Sequence, residues 1–110
     1  MRGQREGYTF YPDLLAEAEI PGHGIHSQTL SNENGVELVL FAMAAGEQLQ
    51  EHTSARPAIV HVLSGEGELW VADDQYQLVT GSWLRMAELT PHALVARTAL
   101  VFALYLLEAP

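Results

Sequence analysis

Apolar residues in this chain come in short bursts separated by turn formers, and few stretches carry a helical period. Val36-Glu-Leu-Val-Leu-Phe-Ala-Met43 is apolar at nearly every position, which predicts a strand buried on both faces. Leu100 to Leu107 repeats the pattern with no polar face. Between these two, shorter strands are predicted over Ala58 to Leu63, Glu68 to Ala72, Gln75 to Val79, Trp83 to Met86 and His92 to Ala96. Ser64-Gly65-Glu66-Gly67, Asp73-Asp74 and Thr80-Gly81 read as the turns that join them. Upstream, Ile25 to Ser31 alternates loosely and runs into Asn32-Glu33-Asn34-Gly35, where Asn-Gly suits the type I′ turn of a hairpin. Pro21-Gly22-His23-Gly24 is a further turn. Before it, Leu14, Leu15, Ala18 and Ile20 fall along one side of a short helix starting after Pro12 and Asp13. Many short strands with little helix predict an all-β sandwich or barrel.

Composition narrows what such a barrel does. The 110 residues suit one domain with one modest core, and 48% apolar content is enough to fold it. A net charge of −9 is the wrong sign for phosphate backbones or anionic lipid, so nucleic-acid and membrane partners are not expected. All five basic residues are arginines; without lysine or cysteine the chain has no Schiff-base amine, thiolate nucleophile or disulfide. The N-terminal residues show no apolar stretch of signal-peptide length, and Ala99 to Leu107 is too short to span a bilayer. A cytoplasmic location is expected. The apolar strands Val36–Met43 and Leu100–Leu107 ask for cover on both sides, which predicts a homodimer.

Two of the five histidines sit in glycine frames on strand-like segments. The first frame runs from Gly46 through His52, Ser54 and Ala58 to Gly65, and the second from Gly81 through Ala87 and Leu89 to His92 and Ala96. Together they resemble the two-part signature of the cupins. The glycines Gly46, Gly65 and Gly81 and the histidines His52 and His92 stand at the family's spacing. Ser54 stands where that signature has its second histidine, Ala58 its glutamate, Ala87 its proline, Leu89 its second glycine and Ala96 its asparagine. The resemblance implies a small double-stranded β-helix, or jelly-roll barrel, as a single domain over residues 1–110. Its motif core lies at about 36–107, and residues 1–31 form an extension packing on the barrel.

A complete site of that family has three histidines and a glutamate around a divalent iron, manganese, nickel or zinc. Here His52 and His92 are the two matching metal candidates, while catalytic centres usually supply three protein ligands. His26 and His61 are the candidates for a third. Strand alternation counts against His61: with Ala58 inward, Val60 and Val62 also point inward and His61 points away. Ser54 and Ala58 exchange ligands for small side chains, which favours an organic ligand in a pocket of His52, Ser54, Ala58, Arg85 and His92. Arg56 and Arg85 are either carboxylate clamps or members of ion pairs. Trp70, Trp83 and Tyr76 are either ligand-stacking or packing aromatics; Phe102 and Tyr105 are expected in the core or an interface.

Three functions stay open. One is a small-molecule-binding cupin without a firmly held metal. The second is a metal-dependent dioxygenase or isomerase using His52, His92 and a further ligand. The third is metal-free acid–base catalysis of the epimerase kind, for which no carboxylate partner to either histidine is visible in the sequence.

Overall fold

The computed structural model describes residues 3–5 and 7–108. A short hairpin of β1 (Gly3–Arg5) and β2 (Tyr8–Phe10) is followed by a 3-10 turn at Leu14–Glu17. The barrel strands follow as β3 (Ile25–Glu33), β4 (Val36–Met43), β5 (Gln48–His52), β6 (Ala58–Ser64) and β7 (Gly67–Val71). Then come β8 (Asp74–Leu78), β9 (Trp83–Met86), β10 (His92–Ala96) and β11 (Leu100–Leu107). Two sheets face each other, a five-stranded one in the order β3-β4-β11-β6-β9 and a four-stranded one in the order β5-β10-β7-β8. Every pairing is antiparallel. The fold is all-β, as the strand pattern predicts, and of the jelly-roll kind that the cupin resemblance implies.

Local chemistry explains the turns. Glu33 pairs with Val36, and the two residues between them, Asn34 and Gly35, have φ of 56° and 78°. That is the type I′ geometry for which Asn-Gly is suited, because both central residues need positive φ. The β7–β8 turn falls one residue earlier than the sequence suggests: Val71 pairs with Asp74, so Ala72 and Asp73 make the turn and Ala72 takes a φ of 52°. The expected N-terminal helix is only the four-residue 3-10 turn, with no buried residue on it. Four residues give too few intrahelical bonds to offset nucleation, so packing decides the shape of this segment.

The core lies between the sheets. Ala58, Val60 and Val62 of β6 meet Leu69 and Val71 of β7, Leu94 and Ala96 of β10, and Leu100 and Phe102 of β11. Alternation sends Leu40 and Ala42 of β4 and Val101 of β11 to the opposite face of the five-stranded sheet, where they form a second buried cluster. Leu30 of β3 and Leu63 of β6 pack against it, and the chain's own N-terminal segment helps to cover it: Ala18 packs there, Gln28 Nε2 donates to the Glu17 carbonyl, and Tyr11 Oη donates to the Leu30 carbonyl. Val101 and Ala103 are fully buried within a single chain. The outer face of β11 at these positions therefore needs no second subunit to cover it. On the outer side of the four-stranded sheet, Glu68 is nearly buried, paired with Arg97 and bonded by Gln75 Nε2 at 3.1 Å.

Candidate functional site

His52 closes β5 and His92 opens β10, and the two are directly paired across the strands. A β-bulge brings them to the same face. Leu49 pairs with Leu94 and His52 with His92, so β5 runs from 49 to 52 while β10 runs only from 94 to 92. Without the extra residue on β5, Leu49 and His52 would point to opposite faces, since strand side chains alternate. With it, Leu49, His52, His92 and Leu94 all line one cavity between the sheets.

The rings lie 4.2 Å apart, centroid to centroid, tilted by 59°. Nδ1 of His52 is 2.8 Å from the Gln50 carbonyl, and Nδ1 of His92 is 2.9 Å from the Thr90 carbonyl. A carbonyl only accepts, so each Nδ1 carries the proton and donates it. In the neutral pair, each Nε2 is then a lone-pair acceptor with no hydrogen-bond partner among the described residues. His52 is exposed and His92 half-buried. Burial holds His92 below the ordinary histidine pKa; the Thr90 carbonyl opposes that shift, and the neighbouring His52 adds to it.

The walls around the pair are apolar, with Phe41, Leu49, Leu94, Phe102 and Leu104 contributing. Phe41 and Phe102 stack face to face at 4.9 Å, with their planes 4° apart. The space beside the histidines is about 50 Å³, enough for a functional group rather than a whole ligand. A larger cavity of about 360 Å³ opens between β8 and β9, and Val60 and Leu69 line both spaces.

Of the residues singled out in the sequence, the structure brings together His52 and His92. Ser54 lies in the β5–β6 loop, where its hydroxyl accepts from the Arg56 amide at 3.1 Å and its carbonyl accepts from the Leu89 amide at 2.7 Å. Ala58 faces the core with Met86 and Leu106 as cross-strand neighbours, which fill the space its small side chain leaves. Arg85 pairs with Ile59 on exposed β9, on the face opposite Leu84 and Met86. His61 pairs with Ala103 and His26 with Ala42, so both are on the outer face of the five-stranded sheet, away from the histidine pair. Arg56 binds Glu37 at 3.0 Å and donates to the carbonyls of Leu106 and Leu107, tying the end of β11 to the loop.

The cupin donor set is therefore incomplete. Two imidazoles converge, the serine hydroxyl is engaged in its own loop, and alanine offers no ligand atom. Among the described residues, no group of three or more metal-ligating side chains assembles. Two imidazoles do not match the three-ligand pattern of catalytic metal sites. Sequence reading missed Phe41 as a wall of the pocket and missed the bulge that aims His52. Phe41 carried no signal beyond an apolar strand position; a bulge of non-glycine residues carries none.

No helix among the described residues is long and apolar enough to cross a membrane. Comparison with known proteins agrees with the architecture. A family model described as "Cupin domain" matches residues 39–107. A conserved protein of unknown function from Streptococcus pyogenes has a solved structure similar to this one, with a TM-score of 0.81 and 27% identity over 92% of this chain and 89% of that one. A cupin superfamily protein from Desulfitobacterium hafniense gives a TM-score of 0.81 and 22% identity over 87% and 88% of the two chains. The salicylate 1,2-dioxygenase of Pseudoaminobacter salicylatoxidans shares the fold at 14% identity and a TM-score of 0.71, over 76% of this chain and 26% of that one. No curated protein matches the sequence. With its strand order, its paired motif histidines and a family model spanning residues 39–107, the chain belongs to the cupin family.

Proposed function

We propose that this cupin binds a small organic molecule in its barrel, with His52 and His92 as the polar contact. One observation carries the reading: two imidazoles, each fixed by a main-chain carbonyl through Nδ1, leave both Nε2 atoms unpaired at an apolar pocket. Few convergent polar groups in an apolar concavity are what a small-molecule site requires. Neutral Nε2 atoms accept, so the matching ligand group is a hydroxyl, amide or amine that donates. The net charge of −9 disfavours anionic ligands over neutral or cationic ones.

The metal-dependent alternative, a dioxygenase or isomerase on the same histidines, needs a donor from beyond the residues that converge here. Acid–base catalysis of the epimerase kind rests on a histidine orientated by a carboxylate, whereas both Nδ1 atoms here go to carbonyls. A homodimer remains part of the proposal: Tyr8, Phe10 and Ile20 are each more than half exposed, and sedimentation velocity at micromolar concentration checks it by mass.

The test of the binding reading is imidazole ring nitrogen NMR during a titration with small amides and alcohols. A saturable shift of the His52 and His92 Nε2 signals, lost for the partner in either alanine variant, supports the reading. Ring signals that stay still while these compounds bind elsewhere refute it.

A further inference from the structure

The larger cavity, between β8 and β9, adjoins the histidine pocket through Val60 and Leu69, but neither histidine lines it and it has its own chemistry. At about 360 Å³ it falls at the small end of the range for ligand cavities, roughly 300–1,000 Å³. Tyr76 is the informative residue. It pairs with Leu69 on the inward face of the four-stranded sheet, yet it is 52% exposed. An inward-facing aromatic left half open marks a gap that the protein does not fill. Across the gap, Trp83 on the edge strand β9 also lines the cavity and is 60% exposed. Leu84, Val60 and Leu69 close the apolar floor.

The polar groups at this cleft are all uncharged. Tyr76 offers a phenol, and Ser82 a hydroxyl that accepts from the Val79 amide at 2.9 Å while keeping its own proton to donate. Among the described residues, no charged side chain lines the space, although the chain carries 14 acidic residues. We propose that the β8–β9 cleft is a binding site for an uncharged, planar one- or two-ring compound bearing a hydrogen-bonding group, stacked on Tyr76 at a mouth that Trp83 borders. Aromatic side chains at low rotamer cost present flat apolar faces to such a ring. An anion gains nothing there, having no cation to meet and the field of the whole chain against it.

Isothermal titration calorimetry with indole as the neutral probe and indole carboxylate as its anionic counterpart tests this. Tyr76 and Trp83 are exposed, so their alanine variants keep the fold. The expected result is saturable indole binding with a Kd below about 1 mM. Tyr76→Ala should weaken it by about tenfold. The component of binding lost in Tyr76→Ala should persist in His52→Ala, and indole carboxylate should bind more weakly than indole. Failure of indole to saturate overturns the assignment. So does loss of binding in His52→Ala with Tyr76→Ala unaffected, or carboxylate binding as tight as that of indole.

Discussion

At the scale of single residues, His92 sets a pH dependence with a definite sign. Burial holds His92 below its ordinary pKa of 6.5 in the folded chain, so the unfolded chain binds more protons between the two values. The stability this neutral imidazole contributes is complete above pH 6.5 and is lost as pH falls toward the folded pKa. Thermal unfolding from pH 7.5 to 5 should therefore lower the Tm of the wild type more than that of His92→Gln, with about 6.5 as the upper edge of the divergence. Leu89 offers a second residue-scale prediction. It occupies a glycine position of the second motif and retains a left-handed φ of 64°, which an L side chain adopts at a cost of roughly 1–2 kcal/mol. Leu89 is 65% exposed, so little packing is lost on truncation. Leu89→Gly should raise stability in urea denaturation by up to about 1 kcal/mol, part of the strain relief being offset by the freer unfolded chain. Arg56 contributes mainly through its carbonyl bonds, because solvent screens its partly exposed ion pair with Glu37. Arg56→Met should cost about 1 kcal/mol in the same assay, and Glu37→Gln only a few tenths.

At the scale of elements, the turns decide where the strands fall. Gly65, which closes the first motif, has a φ of 97°, and a Cβ there would overlap the Ala99 carbonyl oxygen and sit 2.9 Å from the Leu100 Cα. Both obstacles are backbone, so neither can swing aside. Gly65→Ala should cost more than about 2 kcal/mol by chemical denaturation. The strands themselves were legible in the sequence because hydrophobic runs and turn residues report directly on burial and chain reversal. Val36–Met43, Trp83–Met86, His92–Ala96 and Leu100–Leu107 begin and end where the pattern places them. The β1–β2 hairpin was not legible, since residues 3–10 mix polar and apolar positions without clear alternation. The β5 bulge was equally silent. It shifts the facing of His52 through backbone pairing alone, and no glycine marks it. The facing of His61 was readable because β6 keeps strict alternation from Ala58 to Val62.

At the scale of the whole molecule, the N-terminal segment changes what the apolar strands mean. The pattern of β4 and β11 demands cover but cannot say whose, and here Ala18 and Leu30 of the same chain supply part of it. The larger cavity was likewise invisible in the sequence: it lies beside Tyr76 and Trp83 at the sandwich edge, not beside Ser54 and Ala58. What remains of the family's ligand set is a histidine pair, which we propose accepts hydrogen bonds from an organic molecule. The most direct check of that account is elemental analysis of the untagged protein after incubation with excess iron, manganese, nickel and zinc, followed by desalting. The account predicts retention far below one metal per chain, indistinguishable between wild type and His52→Ala. Near-stoichiometric retention of one metal, abolished by His52→Ala, would contradict it.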